Sequence, residues 1–253
     1  MKRLEGNVTI ITGGGKGIGY GLAQAFAAEG SNLVITGRTE SRLKAAKEKL
    51  EKEYKVQVLP VTADGADENA IKNVVAKTIE HFGKIDTLIN NAQVSKSGLP
   101  LVGHTKEDFD LAINSGLYAA FFYMRECFPY LKESKGSVIN FASGAGLFGK
   151  LGQSSYAAAK EGIRGMSRVA AAEWGPDGVR VNVVCPLAMT ESLLEWKENY
   201  PELYAKTIQG IPLGHFADPK EDIGKVCVFL ASDDASYVTG ETITLQGGSG
   251  LRP

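Results

Sequence analysis

Cysteine is scarce and scattered: there are 3 in 253 residues, Cys127, Cys185 and Cys227. An odd number without CxxC spacing supports neither a disulfide framework nor a zinc site, and a reducing compartment is expected. An excess of one charge is missing as well. The 28 Lys and Arg against 29 Asp and Glu leave a net charge of -1, which argues against a nucleic-acid-binding surface. Lys44 to Lys55 is charged but mixed in sign at helical spacing, so it reads as a solvated helix face. No apolar run reaches the roughly 18 residues of a membrane span, and Met1 to Asn7 has no apolar core of signal-peptide length. Linkers rich in Pro, Gly or Ser, repeats and low-complexity tracts are absent too. The three histidines, His81, His104 and His215, have no ligand spacing. The expectation is one soluble, cytoplasmic domain over residues 1–253, with no metal, nucleic-acid or membrane partner.

What is present is a rhythm. Short runs rich in Val and Ile, apolar almost throughout, read as strands at Val8–Thr12, Asn32–Thr36, Val56–Val61, Ile85–Asn90, Ser137–Ala142, Val179–Val184 and Thr242–Leu245. Between them lie helical patterns at Ile18–Ala28, Glu40–Glu53, Asn69–His81, Lys106–Leu131, Tyr156–Trp174 and Pro219–Leu230. Seven strands alternating with helices predict an α/β, doubly wound, mostly parallel sheet with helices on both faces. Residues 187–216 break the rhythm with Pro201, Pro212, Trp196, Tyr200, Tyr204 and Phe216. Ligands bind outside the carboxyl ends of such sheets, so this excursion is a candidate lid. A packed surface helix pair or a subunit contact is the alternative.

The first strand ends in Thr12-Gly13-Gly14-Gly15-Lys16-Gly17-Ile18-Gly19, and a helix follows. Glycines there allow a tight turn and let backbone N–H groups and a helix N-terminus approach a pyrophosphate. The spacing is GxxxGxG rather than GxGxxG, and the position between strand and helix is what makes it specific. The second strand ends Ile35-Thr36-Gly37-Arg38-Thr39, without the carboxylate that holds a ribose 2′-OH. Gly37 leaves room and Arg38 offers a fork of donors suited to a 2′-phosphate, hence NADP(H). Lys16 is either a second cation for that phosphate or a solvated side chain. Asp64, with Gly65 beside it, either meets the adenine or forms a turn, and Asn90-Asn91-Ala92 ends the fourth strand with the same two readings.

Ser154-Ser155-Tyr156-Ala157-Ala158-Ala159-Lys160 puts Tyr156 and Lys160 four apart, on one helix face. An ammonium there is expected to lower the Tyr156 pKa and make it a general acid-base. Ser143 follows the preceding strand, Asn140-Phe141-Ala142. Its hydroxyl is positioned for a substrate oxygen. Asn114 and Gly116 are poor interior residues for the helical pattern that contains them. Asn114 is either a polar group buried to hold a water in a proton relay, or a kink or satisfied core amide.

Through these residues the chain resembles the short-chain dehydrogenase/reductase family, in its compact single-domain branch. The likeness covers nearly the whole chain: Thr12 to Gly19, Asn90-Asn91-Ala92, Asn114, Ser143, Tyr156, Lys160, Pro186 to Thr190 and Tyr237-Val238-Thr239-Gly240. The resemblance implies a Rossmann-type fold and an NADP(H)-dependent oxidoreductase interconverting a secondary alcohol and a ketone. Its catalytic set would be Asn114, Ser143, Tyr156 and Lys160. Cofactor contacts would come from Gly13, Gly15, Lys16, Gly17, Ile18, Gly19, Gly37, Arg38, Asp64, Gly65, Asn91, Ala92, Tyr156, Lys160, Pro186, Leu187 and Thr190. A homotetramer is implied as well. The family's Asn-Asn-Ala-Gly is here Asn-Asn-Ala-Gln93, its Pro-Gly is Pro186-Leu187, and its Asp before the final Gly-Gly is Gln246. The blocks Asn90–Gln93, Ser115–Tyr118, Phe141–Gly149 and Val184–Thr190 look like bacterial bile-acid hydroxysteroid dehydrogenases, nearest the branch acting at the 12α-hydroxyl. That branch implies a steroid substrate, met by Gln93, Ser143, Leu187 and Trp196. Two rivals remain: a 3-oxoacyl carrier-protein reductase or other small carbonyl reductase, and a non-catalytic NADP(H)-binding sensor. The mixed charge gives no basic patch for an acidic carrier, and a sensor has no use for a proton donor.

Overall fold

The central strands are largely apolar because both faces of the sheet are covered there. In the computed structural model, which describes residues 2–250, β1 (Val8–Thr12) is buried along its whole length. Residue 1 and residues 251–253 of the expected 1–253 domain lie outside the described residues. Successive side chains point to opposite faces. Thus Ile10 and Val34 join one apolar layer, with Ile71, Val74, Tyr123 and Leu131. Ile11 and Ile35 join the other, with Leu22, Phe26, Leu43 and Val228.

From β1 the chain runs through α1 (Gly17–Ala28), β2 (Asn32–Gly37), α2 (Glu40–Tyr54), β3 (Val58–Thr62), α3 (Glu68–Phe82) and β4 (Thr87–Asn90). It continues through α4 (Lys106–Ala112), α5 (Ala119–Ser134), β5 (Ser137–Phe141), α6 (Gly144–Phe148), α7 (Ser154–Trp174) and β6 (Arg180–Pro186). It ends with α8 (Glu191–Asn199), α9 (Pro201–Gln209), α10 (Lys225–Ala231) and β7 (Thr242–Leu245). All seven strands pair in parallel, in the order β3-β2-β1-β4-β5-β6-β7. Thr9 stands opposite Leu33 on one side and Thr87 on the other. The order reverses between β1 and β4, and the crevice outside their carboxyl ends is where such sheets bind ligands.

Helix ends follow local chemistry. The Asp67 carboxylate accepts the N–H groups of Asn69 and Ala70 at the start of α3, and Thr105 with Asp108 forms a capping box on α4. The helix expected over Lys106–Leu131 needs correcting. Its middle widens into a π-helical turn, Ile113–Tyr118, and it runs on to Ser134. Asn114 and Gly116 hold that stretch weakly, and the Gln93 carboxamide lies against Gly116, where an added Cβ would stand 2.6 Å from its Cδ. A similar turn, Pro219–Gly224, precedes α10 within the stretch expected as one helix, Pro219–Leu230. Two strands begin two residues later than expected, at Val58 and Thr87.

The excursion 187–216 contains the helix pair α8 and α9. Its ends are pinned together: Met189 N–H donates to the Ala217 carbonyl at 2.9 Å and Ala217 N–H to the Leu187 carbonyl at 3.1 Å. The pair rests on a chain of rings, Trp196 to Tyr204 at 6.1 Å and Tyr204 to Phe216 at 5.8 Å.

Candidate active site

The glycine turn after β1 has the shape its sequence requires. Gly13 and Gly17 have φ of 71° and 54°, a region that side chains rarely enter. At Gly19 an added Cβ would stand 2.2 Å from the Gly13 carbonyl oxygen, so α1 and the turn approach as only glycine allows. The Thr12 hydroxyl accepts the N–H groups of Asn91 and Ala92, both at 2.9 Å, and the Asn91 amide donates to the Thr12 carbonyl at 2.9 Å. These bonds hold the ends of β1 and β4 as one edge of an open groove of about 440 Å³. Its walls include Gly13, Gly15, Lys16, Gly17, Ile18, Gly19, Gly37, Arg38, Asp64, Gly65, Asn91, Ala92 and Thr190. Asp64 also has its turn role, accepting the Ala66 N–H at 3.0 Å.

Three cations line that groove near the end of β2: Lys16, Arg38 and Arg42. Among the described residues none of them is ion-paired with a carboxylate. Arg42 escaped the sequence reading. The available signal was its spacing of four from Arg38 across the start of α2. The open groove, the glycine cradle and the unpaired cations together fit a dinucleotide carrying an extra phosphate.

A second cavity, of about 590 Å³, is lined by Ser143, Tyr156, Pro186 and Leu187, with Ser95, Ser97, Phe148, Lys150, Gln246 and Ser249 among its other walls. The two meet along the loop after β4, since Gln93 and Val94 face the first and Ser95 the second. Ser143 caps α6, accepting the Ala145 N–H at 3.1 Å, and its hydroxyl is hydrogen-bonded to Tyr156. Lys160, one helical turn after Tyr156, is buried. Its Nζ donates to the Phe141 carbonyl at 2.6 Å and stands 5.5 Å from the centre of the Tyr156 ring.

The electrostatics differ from the expectation that Lys160 lowers the Tyr156 pKa. Burial raises the Tyr156 pKa, opposed by the Ser143 hydrogen bond, and the nearby Cys185 adds to the rise. Burial also pulls Lys160 down to about 8. Its Nζ hydrogen-bonds a neutral carbonyl, and the opposing pull of Cys185 is smaller than the desolvation of the ammonium. Behind the site a buried amide chain fixes the frame. Asn90 Nδ2 donates to Asn140 Oδ1 at 2.8 Å and Asn140 Nδ2 to Ser167 Oγ at 2.8 Å, tying β4, β5 and α7. The sequence reading missed that chain too.

Two expected site residues lie elsewhere. Asn114 is exposed, within the π-helical turn, and lines neither cavity. Its carbonyl accepts the Ala119 N–H five residues on, so the kink reading describes it. Trp196 lines neither cavity; its ring is held against Tyr204. Of the other expected substrate contacts, Ser143 and Leu187 line the second cavity, and Gln93 lines the groove. Gln93 Nε2 donates to the Ala112 carbonyl at 3.4 Å, while Oε1 is buried and has no hydrogen-bond partner among the described residues.

Comparison with known proteins extends the picture. Residues 13–249 match the family model described as Enoyl-(Acyl carrier protein) reductase. The chain is 62% identical to a 12alpha-hydroxysteroid dehydrogenase of a Clostridium species, covering 100% of both chains. It is 38% identical to a 3-oxoacyl-[acyl-carrier-protein] reductase of Thermotoga maritima, over 97% of this chain and 98% of that protein. The crystal structure of levodione reductase superposes with a TM-score of 0.92 at 33% identity, covering 98% of this chain and 99% of the other.

Proposed function

This chain belongs to the short-chain dehydrogenase/reductase family and is an oxidoreductase of CH–OH groups; we propose that it uses NADP(H) to interconvert a 12α-hydroxysteroid and its ketone. The observation that carries the substrate reading is the 62% identity over the full length of a 12alpha-hydroxysteroid dehydrogenase. For the cofactor it is the cluster of Lys16, Arg38 and Arg42 without a carboxylate partner.

When bound, the nicotinamide would accept or return the hydride of the carbinol carbon. The protein would supply the rest. Ser143 and Tyr156 both reach toward the substrate oxygen from the second cavity. In oxidation the Tyr156 phenolate takes the hydroxyl proton; in reduction the phenol gives it back. Proton transfer of this kind contributes roughly 10²–10⁴-fold. Lys160 at positive charge favours the phenolate across the short gap to the ring, and the Phe141 carbonyl keeps its Nζ in place. Asn114 acts through the backbone turn it helps to open. Residues 187–216 serve as a lid, because Thr190 and Glu191 already line the groove and no residue of α9 is buried. Gly13, Gly15, Gly17 and Gly19 leave room for the pyrophosphate.

The test is spectrophotometric. The purified protein is given a 12α-hydroxysteroid with NADP+ or NAD+, and absorbance at the NADPH band is followed. Turnover with a clear preference for NADP+ is expected. The substrate reading fails if no steroid alcohol is oxidised, and the cofactor reading fails if NAD+ serves as well. An acetoacyl thioester in the same assay addresses the carrier-protein reductase alternative. Arg38→Ala should weaken NADP+ binding about 10- to 100-fold, the worth of a lost charge-assisted bond, with little effect on NAD+.

A further inference from the structure

The loop that leaves β4 is the partition between the groove and the second cavity. Gln93 and Val94 face the groove, and Ser95 faces the cavity. A hydride leaving a carbinol carbon beside Ser143 and Tyr156 for a dinucleotide in the groove crosses next to this partition. Its first half hangs from β1, through the Thr12 hydroxyl that takes the Asn91 and Ala92 N–H groups. Its second half hangs from the π-helical turn Ile113–Tyr118, where Ser115 Oγ accepts the Val94 N–H at 3.0 Å and reaches the Val94 carbonyl at 2.8 Å. The Gln93 side chain stands between partition and turn.

Chemistry fixes the orientation of that carboxamide. The Ala112 carbonyl can only accept, so the amide nitrogen faces it, at 3.4 Å. Oε1 is then the other end, buried where no donor among the described residues reaches it. A buried acceptor without a donor costs stability, so stability does not explain an amide at a position where the resembling family has glycine. What the amide does is set a spacing. It fills the place beside Gly116, where an added Cβ would stand 2.6 Å from Gln93 Cδ. We propose that Gln93 is a positioning residue for hydride transfer: bonded to Ala112 and wedged against Gly116, it fixes the partition, residues 91–95, and with it the distance between nicotinamide and carbinol carbon. This deepens the oxidoreductase reading and rests on it.

The experiment measures kcat for a 12α-hydroxysteroid at saturating NADP+, with hydrogen and then deuterium on the carbinol carbon, beside NADPH binding by fluorescence titration. Gln93→Gly should lower kcat about 10- to 100-fold and raise the isotope effect, as a small misplacement of reacting atoms does, while the NADPH Kd moves less than about three-fold. Gly116→Ala should slow wild type by a similar factor and change Gln93→Gly little, because its Cβ meets a side chain which that variant lacks. Gln93→Glu is the conservative variant. A protonated carboxyl there both donates to Ala112 and accepts, a carboxylate only accepts, and burial raises the pKa. The ratio of its kcat to that of wild type should therefore fall as pH rises from about 6 to 9. Unchanged kcat and isotope effect in Gln93→Gly overturn the proposal. So does an NADPH Kd that weakens in step with kcat, which would make Gln93 a cofactor contact. Effects of Gln93→Gly and Gly116→Ala that simply add, or a flat Gln93→Glu ratio, overturn it as well. If wild type oxidises no steroid alcohol, the hydroxysteroid reading alone fails, and the same outcomes decide with an acetoacyl thioester and C4-deuterated NADPH.

Discussion

Tyr156 and Lys160 are driven by burial toward their neutral forms, one raised and the other lowered. Chemistry at this pair then depends on a small number of neighbours. Tyr156→Phe removes the proton carrier but leaves the ring, so turnover should drop at least about 100-fold while NADPH binding, followed by fluorescence titration, stays close to wild type. Substantial remaining turnover would refute the role of Tyr156. Lys160 makes a second prediction through linkage. The unfolded chain holds the lysine proton up to about 10.5, whereas the fold releases it near 8. Between those values the unfolded state binds more protons, so the Lys160 contribution to stability rises with pH. Below about 8 the buried ammonium penalises the fold in full. Denaturant titrations should therefore show wild type gaining on Lys160→Met from pH 8 to about 10.5. Parallel pH profiles would contradict a proton-poor Lys160. At this scale the heptad Ser154–Lys160 and the strand end at Ser143 were legible, because a fixed spacing on known elements places side chains together. The direction of the Tyr156 shift was not. It depends on how much water each group loses, which only packing reveals.

At the scale of elements, α1 and the turn at Pro219–Gly224 cross with almost no gap. An added Cβ at Gly21 would stand 2.4 Å from Pro219 Cβ and 2.7 Å from its carbonyl carbon, and one at Gly224 would stand 2.5 Å from Ala25 Cβ. Alanine at a helix interior gains about 1 kcal/mol over glycine. Overpacking of a rigid contact costs about 1–3 kcal/mol. Because the contact at Gly21 is backbone and a proline ring, the second effect should win: Gly21→Ala should lower the melting temperature by several degrees, and a rise would show that the crossing yields. The helix pair α8–α9 is the opposite case, with no buried residue in α9. Its amides should exchange with solvent faster than those of β1 and slow when NADP+ and substrate are added together. Exchange unaffected by both would remove the lid. Strand and helix positions were readable from apolar periodicity to within a few residues. The π-helical turn at Ile113–Tyr118 was signalled only as a weakness at Asn114 and Gly116. Its form depends on Gln93, some twenty residues away, filling the space beside Gly116.

For the whole molecule, the strand order sets the site, and two surfaces remain to be explained. Phe121, Tyr118 and Val169, 40%, 49% and 57% exposed, are large apolar groups on the helical layer of α5 and α7. At one end of the sheet β7 pairs, among the described residues, on one side only, and Tyr237, shortly before it in the chain, is fully exposed. Unpaired strand edges and exposed aromatic groups both favour association. If each surface pairs with its own copy about a two-fold axis, and the two axes cross at right angles, the assembly closes at four chains. The homotetramer implied by the family resemblance thus acquires a physical route. Light scattering behind size exclusion should find four chains at micromolar concentration. Val169→Glu with Phe121→Glu should reduce the assembly to two chains, since it spoils one surface and spares the β7 edge. A single chain for wild type would show that neither surface is used. Four chains for the double variant would clear the α5–α7 face and leave the edge to be explained alone.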